Sequence, residues 1–465
     1  MPVGGNGVAI MRYCLRGVFL RIKLDPMELE TLPEKKQTEI GSYFVANYPP
    51  FSVWSPEHRG AIETALNSSP KPKTPLGLYL HIPFCRKRCK FCYFRVYTDK
   101  NADEIETYLE ALSREISLYA GREGFGNRQF EFVYFGGGTP SYLSNAQLER
   151  LIDRINENWT WEAAREVTFE CEPGTLKQSK LETIKKIGVT RLSLGVEHFD
   201  DEVLGINGRA HRSAEIGRAY AWAREIGFAQ INIDLIAGML GETPDKWKQT
   251  VAKAIAMDAD SCTIYQMEVP FNTTIAREAK SSGHEAPVAD WATKRAWVDY
   301  AFGQFKAAGY VVSSGYTLVK PERHAGFVYR DSLWRGADLV GTGVASFGHF
   351  QGVHYQNFDT WEQYLERINN GELPINRALP VSPHQLLIRE MILLLKTGQI
   401  DAGYFREKFG ADILAEFSEG FASLEREGFA RIEPPLVRLT NQGLLRVDSL
   451  LPRFFEPQFR NIRYT

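Results

Sequence analysis

LGLYLHIPFCRKRCKFC, Leu76 to Cys92, places an apolar run free of Asp, Glu, Lys and Arg directly against a short basic loop that carries three cysteines. The run has the length and Leu/Ile content of a buried strand. It is also the first of a series. EFVYF, EVTFEC, TRLSLGV, INIDLIAG and CTIYQMEV follow it, separated by segments of helical period at Asp103–Tyr119, Asn145–Asn158, Lys177–Ile187, Ser213–Ile226 and Pro244–Met257. Strand-then-helix alternation of this kind predicts an α/β fold with a parallel sheet, open or closed as a full or partial TIM-type barrel.

Upstream, SSPKPKTP (Ser68–Pro75) has no apolar periodicity and reads as a linker. Residues 1–75 then form an N-terminal arm, which contains the aromatic, proline-rich NYPPFSVW (Asn47–Trp54). Downstream, ELPINRALPVSP (Glu372–Pro383) interrupts the alternation and suggests a second boundary, giving a barrel over 76–375 and a C-terminal domain over 376–465. Helical patterns at His384–Lys396, Tyr404–Phe409 and Ile413–Glu427, followed by short strands at Phe429–Ile432 and Leu436–Leu439, give that domain a winged-helix-like order. Lysine plus arginine total 55 against 57 acidic residues, which argues against nucleic-acid binding and makes the small module a lid or docking element. No run approaches the roughly 20 apolar residues of a membrane span, and Met1–Asp25 lacks an h-region with a cleavage site. The expectation is a cytoplasmic protein acting on a small molecule.

Of six cysteines, Cys85, Cys89 and Cys92 cluster, which is the pattern of a metal centre rather than of disulfides. Their C-x-x-x-C-x-x-C loop can point all three sulfurs at one [4Fe-4S] cubane, leaving one iron open to a chelating ligand. Zinc is the competing reading. It prefers paired knuckles, no second pair is present, and His81, the one nearby histidine, reads as a strand residue bonded to backbone. Cys14, Cys171 and Cys262 read as buried thiols. The second strand ends in Gly136-Gly137-Gly138-Thr139-Pro140, where backbone can approach a ligand closely. Glu170 and Glu172 close the third strand, Glu197 closes the fourth, Asp234 lies in the fifth and Arg209 follows the fourth. In a parallel barrel these share one mouth with the cysteines, and carboxylates there can accept hydrogen bonds from ribose hydroxyls and an ammonium group.

The cysteine motif, with Phe91 before its last cysteine, resembles that of the radical S-adenosylmethionine superfamily. YLHIPFC, YFGGGTPSYL, ECEPGT, RLSLGVEHFDDEV, NIDLIAG, GTGVASFG and HYQNFDTWEQYLERINNGELP are similar, in order, to the oxygen-independent coproporphyrinogen III oxidase family and its relatives, which include heme chaperones and radical methylases. The resemblance implies a [4Fe-4S] cluster on Cys85, Cys89 and Cys92, and one or two S-adenosylmethionine molecules. It implies contacts to them from Tyr79, Phe91, Gly137, Gly138, Thr139, Glu170, Glu197, Arg209, Asp234, Met267 and Phe347. It further implies a 5'-deoxyadenosyl radical, a tetrapyrrole-like or other small organic substrate, and an electron donor such as flavodoxin or ferredoxin. Arg86, Lys87, Arg88 and Lys90 are candidates for docking that donor.

The chain departs from the family pattern in three places. Phe94 stands where porphyrinogen oxidases carry a further cysteine, Glu197 replaces a glutamine, and Tyr329-Arg330 occupy the heme-binding His-Asn position of the chaperones. The resemblance therefore leaves three outcomes open: oxidation of substrate, methyl or methylene transfer from a second S-adenosylmethionine including cyclopropane formation, and heme carriage without turnover. NYPPFSVW resembles the arm that closes over substrate in the oxidases.

Overall fold

The computed structural model describes residues 44–460 and 462, apart from 72, 324 and 325. Cys14, the leader reading of Met1–Asp25 and the first part of the arm lie outside the described residues.

Six strands follow one another as expected: β1 (Leu76–Ile82), β2 (Phe130–Gly137), β3 (Glu166–Cys171), β4 (Arg191–Glu197), β5 (Gln230–Ala237) and β6 (Ser261–Gln266). Each pairs in parallel with the next. Their interiors are buried on both faces, as in β1, where Leu78, Leu80 and Ile82 are fully enclosed on one face and Gly77 and His81 are buried on the other. The crossover helices begin at defined caps. Asn101 and Ser144 close capping boxes before Ala102–Tyr119 and Asn145–Asn156, and Thr243 caps Pro244–Ala256.

Further strands complete the sheet: β7 (Val311–Val312), β8 (Thr317–Val319), β9 (Asp338–Thr342), β10 (Phe347–Phe350), β11 (Val353–Asn357) and β12 (Ile375–Pro380). The order is β12-β11-β10-β9-β1-β2-β3-β4-β5-β6-β8-β7. Strand β9 is a seventh parallel strand, laid on the free edge of β1. Antiparallel strands flank the parallel block on both sides, so the sheet is an open α/β arrangement and not a closed barrel. Because the seven strands run the same way, their carboxyl ends share one edge, and the site is built there.

The large sheet extends past the 375/376 division drawn on the sequence, since β12 pairs with β11 throughout. Beyond it, the helix Pro383–Leu395 leads to β13 (Gln399–Asp401), the helix Ala402–Phe409, short helices Ile413–Glu416 and Ser418–Arg426, and the hairpin β14 (Ala430–Glu433) and β15 (Leu436–Leu439). Strand β13 adds to β15.

Asn47–Trp54 does not line the main cavity. Tyr48 is fully buried against Phe455 and hydrogen-bonds Glu456, while Trp54 stacks on His354 of β11 at 5.1 Å. This aromatic segment is a wedge joining the sheet edge to the C-terminal core, which includes Val45 and Tyr48. Burying such rings removes large apolar areas from water, so the wedge is part of the fold's cohesion.

Candidate active site

The cysteine loop leaves β1 through fully buried Phe84. It is pinned by reciprocal backbone bonds, Cys85 N–H to the Tyr97 carbonyl and Tyr97 N–H to the Pro83 carbonyl, and by Lys90 N–H to Asn207. Burial, with the neighbouring thiols adding to it, pushes Cys85 up to about 12 and Cys92 up to about 11. The buried thiols of Cys85 and Cys92 become thiolates only against a strong cationic partner, which iron supplies. Among the described residues, no three His, Cys, Asp or Glu side chains close around a single ion. His81 is engaged elsewhere, its Nδ1 meeting the Tyr79 hydroxyl at 3.2 Å and its ring hydrogen-bonding the Arg95 backbone as expected.

The glycine run seats this loop. Gly138 donates to the Ile82 carbonyl at 2.8 Å, and a Cβ there would sit 2.8–2.9 Å from the backbone of residues 82–84. Gly137 has φ +112, and a Cβ on it would enter the His81 ring at 2.5 Å. Close approach at Gly138 is therefore to the chain's own cysteine loop.

Three carboxyl groups line the same mouth. Glu170 accepts from the Tyr134 hydroxyl at 2.7 Å and the Gly137 N–H at 3.1 Å, yet burial raises it to about 7. Glu197 is also raised to about 7 by burial, despite Arg209 3.6 Å away. Its φ of +64 follows a register shift between Gly195 and Glu197, and this left-handed turn is a strained conformation for glutamate. Asp234 is raised by burial too, although Ser193 and Asn232 donate to it at 2.9 Å each. Among the described residues Arg209 pairs with Glu197, and Arg191, also in the lining, places a second guanidinium charge near Asp234. Positive charge on a ligand beside these buried, raised carboxyl groups would favour their ionised form.

All of these open on one cavity of about 570 Å³, within the range of ligand-binding clefts. Its lining takes in Cys85, Cys89, Cys92, Tyr79, Phe91, Gly137, Gly138, Thr139, Glu170, Glu197, Arg209, Asp234 and Met267. Phe347 is the exception. It begins β10, an antiparallel strand on the far side of β9, and packs on Phe51 and Trp54 at 4.4 and 5.7 Å. Of the basic loop residues, Arg86 is held by Glu172, Arg88 by the Cys92 carbonyl and Lys90 by Glu278, while Lys87 is exposed. Cys171 and Cys262 are buried thiols.

Glu268, Tyr316 and Asp448 also line the cavity and were not singled out from sequence. Glu268 accepts from the Phe44 N–H at 2.8 Å, and burial, with Asp448 nearby, raises it to about 8. Asp448 receives the Val45 N–H, the Tyr316 hydroxyl and the fully buried Lys396 ammonium. Tyr329, beside Tyr134 at 4.4 Å, is fixed because Glu166 accepts both the Val328 and Tyr329 N–H groups at 3.0 Å.

Residues 79–254 match the model of the radical SAM superfamily. The chain is similar to the heme chaperone HemW of Bacillus subtilis, 28% identical over 381 residues that span 81% of this chain and 98% of that protein. It is also similar to the oxygen-independent coproporphyrinogen III oxidase of Escherichia coli, 26% identical over 393 residues, 82% of this chain and 85% of the other. The crystal structure of the Escherichia coli oxidase superposes with a TM-score of 0.77 at 24% identity, covering 89% of this chain and 96% of that one, and so shares its fold. The site and the matches define a radical SAM protein, whose superfamily works with a [4Fe-4S] cluster and S-adenosylmethionine. Over more than four-fifths of its length the chain is similar to both oxygen-independent coproporphyrinogen III oxidases and heme chaperones. No helix among the described residues is long and apolar enough to cross a membrane.

Proposed function

We propose that this chain is a radical S-adenosylmethionine enzyme that oxidises a small, tetrapyrrole-like or other organic substrate by hydrogen abstraction. One observation carries the reading: the thiols of Cys85, Cys89 and Cys92 and the carboxyl groups of Glu170, Glu197 and Asp234 face a single cavity. The three cysteines would hold the cluster. When bound, it supplies the electron that cleaves S-adenosylmethionine to methionine and a 5'-deoxyadenosyl radical. The chain's own residues bind, orient and seal. Glu170, fixed by Tyr134 and Gly137, and Asp234, fixed by Ser193 and Asn232, present oriented acceptors to hydroxyl and ammonium groups. Tyr79, Phe91 and Met267 add apolar surface that keeps water from the reacting carbon. A cytoplasmic one-electron donor of the flavodoxin or ferredoxin type would reduce the cluster, with exposed Lys87 beside the loop as a steering charge.

A second reading, methyl or methylene transfer from a second S-adenosylmethionine, is favoured by Glu197. It adds a third buried carboxyl group to those of Glu170 and Asp234 in the cavity, and Phe94 stands where the oxidases carry cysteine. Heme carriage, the role named for the Bacillus subtilis relative, is less well supported. Burial keeps the Tyr329 phenol protonated, and Arg330 pairs with Asp331, so neither suits heme iron.

Anaerobic reconstitution, reduction with dithionite and addition of S-adenosylmethionine separate the three. Formation of 5'-deoxyadenosine alone supports hydrogen abstraction. Accompanying S-adenosylhomocysteine selects methylene transfer, and stoichiometric heme binding without cleavage selects carriage.

A further inference from the structure

Each of the three cysteine sulfurs receives one hydrogen bond from a different part of the chain. The Thr139 hydroxyl, in the turn after β2, donates to Cys85 Sγ at 3.3 Å. Arg209 Nη1, in the loop after β4, donates to Cys89 Sγ at 3.3 Å. The Phe94 backbone N–H, within the cysteine loop itself, donates to the Cys92 sulfur. None of the three donors is placed by chance. Thr139 is buried, and its carbonyl accepts the Tyr142 N–H of the turn that follows. Arg209 has a second anchor, Nη2 on the Gly195 carbonyl at 2.6 Å, with Glu197 Oε1 3.6 Å from the same nitrogen. A planar guanidinium held at one end aims its other amino group in a fixed direction, here at the sulfur.

We propose that Thr139 and Arg209 act as redox-tuning residues, raising the reduction potential of the cluster by hydrogen bonding to two of its three ligating sulfurs. The inference rests on the reading of Cys85, Cys89 and Cys92 as cluster ligands. It adds to that reading, because the family resemblance makes both residues contacts of the nucleotide, whereas in this chain their donor atoms reach sulfur. The physical argument concerns where the extra electron goes. One-electron reduction of a cluster makes the iron–sulfur unit more negative, and electron density on the sulfurs increases. A donor pointed at sulfur stabilises the reduced form more than the oxidised form, so each such bond makes the cluster easier to reduce. Arg209 brings a full charge in a site shielded from water and has the larger effect, since charge-assisted hydrogen bonds are about twice as strong as neutral ones. Thr139 brings a neutral hydroxyl and has the smaller one.

The test is an EPR-monitored redox titration of the anaerobically reconstituted full chain with dithionite, without S-adenosylmethionine, so that nucleotide contacts do not enter. Wild type is compared with Thr139→Val, Thr139→Ser, Arg209→Lys and Arg209→Gln, and iron content is measured for each. The expected result is a midpoint moved to more negative potential in T139V, further in R209Q, with T139S at the wild-type value and R209K between R209Q and wild type. T139V is close to isosteric and keeps the turn, so it gives a decisive reading even if R209Q folds poorly. T139V that holds wild-type iron and is reduced at the wild-type potential overturns the inference and leaves the cluster in place. A wild-type chain that takes up no iron overturns the cluster reading as well.

Discussion

The cysteine side of the cavity draws its polar groups from the carboxyl edge of consecutive parallel strands, whereas another stretch of the lining joins Phe44, Glu268, Tyr316 and Asp448 from distant parts of the chain. The first set gathers three thiols and three carboxyl groups that burial raises, Glu170, Glu197 and Asp234. The second is already satisfied, because Lys396 answers Asp448 and backbone N–H groups answer both acids. Ligand-seeking and self-paired polar groups thus share one cavity, and that contrast assigns chemistry to the first set and cohesion to the second. Buried pairs of the second kind are costly to break, since the partner left behind is an uncompensated charge.

The sharpest way to break this contrast is at sulfur. Cys85→Ser, Cys89→Ser and Cys92→Ser should each abolish iron retention and 5'-deoxyadenosine formation, a loss beyond the ~10–100-fold that follows removal of an outer-sphere partner. Glu170→Gln should keep iron but weaken S-adenosylmethionine binding about 10–100-fold, the equivalent of one hydrogen bond to a charged group, measured by equilibrium dialysis. A Glu170→Gln protein that binds the nucleotide as wild type does would remove this carboxyl group from the cofactor reading.

The self-paired set should respond in stability instead. Asp448→Ala strands Lys396, which is 0% exposed, and should cost about 3–5 kcal/mol in denaturant unfolding while iron content is retained. The smallest effect concerns Glu268. Its carboxyl group is raised from 4.5 to about 8 by burial, so the folded state holds a proton that the unfolded chain releases. That contribution is full below pH 4.5 and is lost as pH rises through about 8. Glu268→Gln, which cannot ionise, should therefore lose less melting temperature than wild type between pH 6 and pH 9, by a few degrees in scanning calorimetry. Asp448, Lys396 and Lys294 face the same group and are common to both proteins, so the difference isolates Glu268.

What was legible follows from the same contrast. Glu170, Glu197 and Asp234 could be placed together because the direction of parallel strands fixes which ends meet, whatever the sequence distance. Strand β9 was not legible. DLVGT is short and glycine-bearing, and its partner β1 lies far upstream, so no local period announces the pairing. Asp448 and Tyr316 carry no motif and meet only through tertiary packing. The resemblance gives Phe347 its position in the chain but not its packing, and the antiparallel strand it opens sets it against Phe51 and Trp54. Asn47–Trp54 likewise has the composition of a covering arm, but Tyr48 and Trp54 find complete burial at the sheet edge. The donors to sulfur depended on knowing which side chains reach the loop, and spacing alone carries no such information.

The central claim is that Cys85, Cys89 and Cys92 hold a cluster with one iron left open for S-adenosylmethionine. Its most direct test is iron and sulfide analysis of the anaerobically reconstituted chain, followed by EPR of the dithionite-reduced protein with and without S-adenosylmethionine. The account requires about four irons and four sulfides per chain and a spectrum that changes when the nucleotide is added. A colourless, iron-free chain, or a cluster whose spectrum is indifferent to S-adenosylmethionine, would contradict it.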